Sequence, residues 1–321
     1  MIFFWLGFLA LVAVMLALDL GVFHKKDHVI EVKEALTWTG IWIGVSLLFD
    51  VFIYFAYNGH WLGIGLHKGA AAVTGAEAAM QFLTGYVIEK SLSMDNIFVM
   101  AAIFDFFKVS RLYQHRVLFW GILGALVLRG IFIGGGTALI SQFHWIMYLF
   151  GAFLVFTALK MQFTKEEGNV DPEKNLVLRV AKRFLPVTHE MQGHAFFLKI
   201  DGKHFATPLF LALIVIESSD VLFAVDSIPA IFAVTLDPFL VFTSNIMAIL
   251  GLRSLYFALA ALLGKFRYLK NALVIVLAFV GIKMLIADFV EISSLVSLCV
   301  VFVALAAGIL ASHFIPEKQA K

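Results

Sequence analysis

Residues Leu273–Ile286 read Leu-Val-Ile-Val-Leu-Ala-Phe-Val-Gly-Ile-Lys-Met-Leu-Ile, with one charge in the run. A transmembrane β-barrel strand alternates outward apolar and inward polar residues over about ten positions. This run does not alternate. It reads as a helix that is apolar all round, which is the mark of a buried or membrane-embedded helix. Eight other stretches read the same way. With this one they run roughly 2–23, 36–57, 78–104, 115–135, 144–163, 207–235, 240–262, 270–289 and 292–314.

The composition agrees. Of 321 residues, 62% are hydrophobic and 14% are charged, and the mean hydropathy is +0.96. Ordinary soluble domains run about 45–50% apolar and about 25% charged. A soluble fold of this length has too little interior for such a chain. A net charge of +2 supplies no basic face for nucleic acid. A single cysteine, Cys299, supplies no disulfide framework and no multi-cysteine metal site. The expected class is an all-α polytopic membrane protein, residues 1–321 forming one transmembrane domain. At about 20 residues per span, nine helices with short loops fit the length.

The first stretch has no Lys or Arg at its leading edge, and Lys25 and Lys26 follow it. That is the reverse of a secretory signal, so a retained helix is expected. Alternate loops hold eighteen Lys and Arg on one side against Lys68 alone on the other. Positive loops stay cytoplasmic. The N-terminus is therefore expected outside and the C-terminus in the cytoplasm. The one sizeable polar segment, 164–206, reads as a cytoplasmic linker whose Asp201-Gly202 suits a hairpin turn.

Two parts of the chain echo each other. Val87-Ile88-Glu89 recurs as Val215-Ile216-Glu217, Asp95-Asn96 as Asp226-Ser227, and Leu128-Arg129-Gly130 as Leu252-Arg253-Ser254. Ala158-Leu159-Lys160-Met161 matches Gly281-Ile282-Lys283-Met284, and the Arg-to-Lys spacing is 31 residues in one copy and 30 in the other. Repeat one spans 78–163 and repeat two 207–289. Each holds three spans, helices 3–5 and 6–8. An odd number puts the second copy into the membrane upside down. Inverted repeats are common in secondary transporters, with the site at mid-membrane between the copies.

Spans 3 and 6 hold five carboxylates: Glu89, Asp95, Glu217, Asp220 and Asp226. Each costs roughly 3 kcal/mol at a helix centre, so such residues are functional by default. Arg129 and Arg253, at equivalent places in the two copies, are the expected counter-charges, pairing with acids of spans 6 and 3. Glu217 and Asp220 share a helix face. Asp226 lies about 180° from Glu217 on an unbroken helix, so convergence of all five needs an interruption, expected near Pro229. Glu89, Ser93 and Asn96 share a face of span 3.

All ten histidines lie in loops or at span ends, so the mid-span donors are oxygens. Such donors suit Mg²⁺, Ca²⁺ or Mn²⁺; a proton path built from the same acids stays open. Met94 and Met247 tilt the choice slightly toward Mn²⁺. Enzymatic readings fail: His189-Glu190 does not extend to HExxH, Ser218, Ser219 and Ser227 have no mid-span His, and the glycine clusters lack P-loop spacing.

The run Gly85-Tyr86-Val87-Ile88-Glu89-Lys90-Ser91-Leu92-Ser93-Met94-Asp95-Asn96 resembles the first signature of the TerC family of integral membrane proteins. The run from Glu217 to Thr235, with Asp237-Pro238-Phe239 and Thr243-Ser244-Asn245 after it, resembles the second. The similarity covers about Phe82 to Asp288, with a weaker match at Leu18-Asp19-Leu20, and is nearest the Alx branch. It implies manganese(II) efflux across the bacterial inner membrane, with Mn²⁺ as the transported ion and no enzymatic activity. The family's acidic positions map onto Glu89, Asp95, Glu217, Asp220 and Asp226; with Asn96 these are the expected metal ligands, supported by Ser93, Ser227 and Asn245. Links of some relatives to metal loading make membrane or secreted metalloproteins expected partners, beside the bilayer itself. Proton exchange is the expected coupling. The rival expectations are a proton- or sodium-conducting channel or sensor, and a membrane scaffold in the tellurite response.

Overall fold

The computed structural model describes residues 2–23, 30–66, 72–143, 145–163, 175–188, 193–200, 202–260, 268–290 and 292–314. Its elements are α1 (Ile2–Phe23), α2 (Val32–Asn58), α3 (Gly75–Phe106), α4 (Arg111–Gln142), α5 (Ile146–Phe163), α6 (Leu176–Phe184), β1 (Phe197–Ile200), β2 (Lys203–Ala206), α7 (Pro208–Phe232), α8 (Pro238–Ile249), α9 (Leu252–Ala260), α10 (Leu269–Leu285) and α11 (Ser294–Phe314). Each of the nine apolar stretches contains a helix among the described residues, the seventh as the bent pair α8–α9. Among the described residues, α2, α4, α5, α7 and α11 are long and apolar enough to cross a membrane, and α8–α9 together make up to six. The structure is thus mostly helical and polytopic, as an all-α membrane protein requires.

Its polarity is inverted relative to a soluble protein. The largest fully buried side chains are Arg129 and Arg253, each 1% exposed, while Ile131 and Leu222 are 66% and 68% exposed. Water would not tolerate that arrangement, because apolar area belongs inside and charge outside. Hydrocarbon around the bundle does tolerate it, since the apolar exterior then faces an apolar solvent and the charges pair within.

The helix starts are written in the sequence. Thr74 accepts from the Glu77 backbone N–H to open α3, with Glu77 three residues on as in a capping box. Thr207 caps α7 and Asp237 caps α8, each followed by a proline at the first helical position. Asp237 also accepts a 2.8 Å bond from the Tyr57 hydroxyl, tying the end of α2 to the start of α8.

Four helices frame the centre. α3 and α4 each pack along α7 and α8, and α5 packs along α10. The α5–α10 crossing is close: a methyl group on Gly281 would sit 2.8 Å from the Gly151 carbonyl oxygen, and one on Gly151 3.0 Å from that of Gly281. Small residues at a crossing let two backbones approach, which stabilises helix pairs inside membranes.

The expected interruption near Pro229 is not there. α7 runs unbroken to Phe232, with Pro229 inside its last turn. A proline there removes one backbone bond close to the helix end and need not break the helix. The break lies instead between α8 and α9, which are bent by 41°. Gly251 turns the chain with φ +82°, a left-handed conformation that L side chains rarely adopt. The buried Lys90 donates a 3.0 Å bond to the Ala248 carbonyl at the end of α8, satisfying one of the acceptors that a helix terminus leaves open.

The polar segment before α7 carries more structure than a linker. β1 and β2 form an antiparallel hairpin pairing Ile200 with Lys203, and α6 precedes it. Asp201, the expected turn residue, lies outside the described residues, as do 164–174, 189–192 and the loop cations Lys25, Lys26, Lys68, Lys265, Arg267, Lys318 and Lys321.

Gly251→Ala tests the break. A methyl group there would meet the Trp42 side chain at 2.7 Å, and the left-handed backbone adds about 1–2 kcal/mol of strain. The variant is expected to melt several degrees lower in detergent, followed by intrinsic tryptophan fluorescence. An unchanged melting point would show that the turn needs no glycine.

Candidate functional site

Arg129 occupies the middle of α4, and it organises the interior. Its Nη1 donates to Glu89 Oε1 of α3, and its Nη2 and Nε donate to the two oxygens of Asp220 on α7 at 2.9 and 3.2 Å. The second pairing is bidentate, matching the planar guanidinium to a carboxylate. Nη1 also donates to Ser227 Oγ at 3.3 Å and Asn245 Oδ1 at 3.4 Å. Asn245 of α8 returns a 3.0 Å bond from Nδ2 to Glu89 Oε2, and Ser93 Oγ donates to Glu89 Oε1 at 3.2 Å. Glu89, Ser93, Asp220, Ser227 and Asn245 are all buried.

Helix periodicity explains who takes part. Glu89 and Ser93 are one turn apart on α3. Asp220 and Ser227 are two turns apart on α7 and face the same way. Because α7 is unbroken, Asp226 points elsewhere, accepting a 3.2 Å bond from Thr157 of α5 within electrostatic reach of Lys160. Asp95 is half-buried, has a partner of its own, and is not among the groups Arg129 contacts.

Glu217 sits one turn before Asp220 and within its electrostatic reach. It fills the space over Gly124 of α4, where any side chain would collide with its carboxylate. Its Oε2 is buried without a hydrogen-bond partner, and so is Asn96 Oδ1. Buried orphan acceptors are uncommon and ask for an explanation.

The single cluster of five carboxylates expected from the sequence is thus not formed. Among the described residues, no three His, Cys, Asp or Glu side chains come together as a metal-ready set. Glu89 and Asp220 share Arg129, Glu217 stands beside them, and Asp226 faces α5. The physical reason is the straight course of α7, which keeps Asp226 half a turn away from Glu217. Arg253, at the start of α9, lines a small cleft with Asp220, Ile216, Ala125 and Met100. The two arginines therefore flank Asp220 at different places. Arg129 reaches acids of both halves.

A further acid inside an apolar stretch stands outside the expected set. Asp50 lies within α2, half-buried, with its Oδ1 buried and lacking a partner. Its signal was the one that marked the other five, a carboxylate inside an apolar stretch, but α2 lies outside both repeats.

The model of the integral membrane protein TerC family matches residues 74–320. An uncharacterized membrane protein, STKORF319, of Myxococcus xanthus is 51% identical over 308 residues, covering 96% of this chain and 91% of its own. The protein of Escherichia coli strain K12 described as a candidate membrane-bound redox modulator, Alx, is 47% identical over 312 residues, covering 97% and 92%. An uncharacterized membrane protein of Rickettsia felis is 41% identical over 308 residues, covering 96% of each. No solved structure matches the chain.

The network makes a stability prediction. Arg129→Gln would leave Glu89 and Asp220 buried without their cation, which costs about 3–5 kcal/mol when one partner of a buried pair is removed. Replacing the charges together, as Arg129→Gln with Glu89→Gln and Asp220→Asn, removes that penalty. The single variant is expected to lose most of its folded, monodisperse yield in detergent, and the triple variant to regain it. Equal yields for wild type and Arg129→Gln would show that the guanidinium does not hold the bundle together.

Proposed function

The chain belongs to the TerC family of integral membrane proteins, and from that premise we propose that it exports manganese(II) across the bacterial inner membrane. The observation that carries the reading is Arg129 lying between Glu89 and Asp220, one carboxylate from each half of the chain. This is a cation site inside an apolar bundle, held in this conformation by a tethered cation.

The donor set suits a hard divalent ion. Glu89, Asp220, Glu217, Asn96, Asn245, Ser93 and Ser227 offer only oxygens, the chemistry that favours Mn²⁺ and Mg²⁺ over soft metals. Glu217 Oε2 and Asn96 Oδ1 are buried acceptors with no bond of their own. In the proposal Mn²⁺ displaces the Arg129 guanidinium from Glu89 and Asp220, and Glu217 and Asn96 complete its shell. Asp95 and Asp226, which lie off the Arg129 network, serve the approach and departure of the ion.

The tethered cation answers the release problem. Bare carboxylates in a medium of low dielectric constant are costly, so a site that simply lost its metal would hold on to it. When Arg129 returns, Glu89 and Asp220 stay neutralised while the ion leaves. Protons taken up by the remaining acids balance the charge, giving exchange of Mn²⁺ outward for protons inward. The chain acts as a transporter and not as an enzyme.

The topology in this proposal is nine spans, N-terminus outside and C-terminus cytoplasmic, with an inverted repeat of spans 3–5 and 6–8. The packing supports it. Exchange of the two copies would swap the α3–α8 contact with the α7–α4 contact and map α5–α10 onto itself, and all three contacts are present. The name of the Escherichia coli relative points to redox effects. With one cysteine in the sequence, this chain has no internal dithiol, so we assign any such effect to manganese supply, including supply to membrane or secreted metalloproteins.

The test uses sealed inside-out vesicles with an internal pH dye and an imposed Mn²⁺ gradient. The expected result is Mn²⁺ uptake with proton counterflow. Uptake falls at least about tenfold in Glu89→Gln and Asp220→Asn, and counterflow is lost in Asp226→Asn. Manganese flux with no pH change would replace the exchanger with a channel. Absence of wild-type flux would leave a scaffold.

A further inference from the structure

The helix α6 is built unlike the others. Its nine residues, Leu-Val-Leu-Arg-Val-Ala-Lys-Arg-Phe, divide cleanly around the axis. At 100° per residue, Leu176, Val177, Val180 and Phe184 fall within one sector of about 100°, Arg179, Lys182 and Arg183 fall in a neighbouring one, and Ala181 and Leu178 occupy the side between. Leu178, the one buried residue, joins the core cluster that contains Leu209 and Ala212 of α7. Among the described residues the apolar sector is largely uncovered: Phe184 is 76% exposed, Leu176 71%, Val180 51% and Val177 48%.

The helix is also held at a defined place. Asn175 caps it, accepting at Oδ1 from the Val177 and Leu178 backbone N–H groups at 2.9 and 3.1 Å. The same side chain donates from Nδ2 to Ser218 Oγ of α7 at 2.8 Å. Ser218 lies ten residues past Pro208, about 15 Å along α7. The start of α6 is therefore drawn alongside the apolar wall of the bundle and away from bulk water. Near it, Arg116 stacks on Phe196, and Phe197 of the hairpin is also exposed. Aromatic and basic side chains together mark the membrane–water boundary.

We propose that α6 lies in the bilayer interface as a binding surface for anionic lipid. Leu176, Val177, Val180 and Phe184 enter the acyl region, while Arg179, Lys182 and Arg183 meet the phosphate groups. A helix with one apolar sector and one basic sector, too short to span, takes this position, and each cation near an anionic surface adds to the attraction. The segment 164–206 then docks on the membrane through α6, and Asn175 joins that docking surface to α7 one residue from Glu217. This inference holds whatever ion the protein carries.

Single cysteines placed in a Cys299→Ser background, as Val180→Cys, Phe184→Cys and Lys182→Cys, are labelled with a bimane dye in the full chain. The labelled proteins are reconstituted in phosphatidylcholine vesicles with and without one quarter phosphatidylglycerol. Dyes at 180 and 184 should be quenched by doxyl lipids and shielded from iodide, with the opposite at 182. Equal iodide access at all three positions would overturn the interfacial placement. Arg179→Gln, Lys182→Gln and Arg183→Gln together should lower lipid quenching at 180 at least twofold, only in the vesicles with phosphatidylglycerol. The same quenching with and without the three cations, or with and without the anionic lipid, would overturn the lipid class.

Discussion

A guanidinium without water around it must have carboxylates, and much of this structure follows from that requirement. Arg129 cannot shed its proton, so α3, α4, α7 and α8 are placed to surround it. Glu89 comes from α3, Asp220 and Ser227 from α7, and Asn245 from α8. Asn245 and Ser93 hold Glu89 from other sides, so each group in the network is fixed by more than one neighbour. Such a network is rigid while complete, and its members depend on each other.

The same arrangement leaves room for change. Gly124 exists where Glu217 needs space, and Glu217 keeps a buried oxygen with no partner. Gly251 gives the α8–α9 span a bend whose last carbonyls are met by Lys90 from α3. A bent span within hydrocarbon is tolerated when side chains satisfy the freed backbone. Two buried cations adjoin the bend: Lys90, bonded to the Ala248 carbonyl, and Arg253, two residues past Gly251. On our reading this is the flexible region next to the site, whereas α7 is a straight rod that carries Glu217, Asp220 and Ser227 together.

The polar segment before α7 is best understood through the membrane as well. Its hairpin leads directly into the α7 cap, with Thr207 donating to the Ala195 carbonyl at 2.8 Å. Asn175 ties α6 to the middle of α7. What looks in sequence like a solvated connection is thus attached to the bundle at both ends, and its short amphipathic helix carries the separation of charge and apolar area that an interface imposes.

How much of this was legible beforehand depends on the range of the interaction. Continuous apolar runs such as Leu273–Ile286 determine helices because hydrocarbon leaves the backbone no other partner, and each of the nine stretches contains a helix among the described residues. Family signatures around Glu89 and Glu217, and the importance of Arg129, were also readable, because a charge inside an apolar run is costly and therefore conspicuous. α6 is not legible as a span, because nine residues holding three cations are too short to cross a membrane. Asp50 carries the same signal but lies in α2, outside both repeats. Tertiary structure alone decided which acids meet. Pro229 suggested a break that would swing Asp226 inward, yet the helix passes through it, because the fate of one lost backbone bond is set by how close the helix end lies. The turn at Gly251 and the sharing of Arg129 by Glu89 and Asp220 likewise depend on contacts between residues far apart in the chain, such as Lys90 to Ala248, 158 positions apart, and Asn245 to Glu89, 156 apart. Local pattern fixes what each segment is; only packing fixes which faces come together.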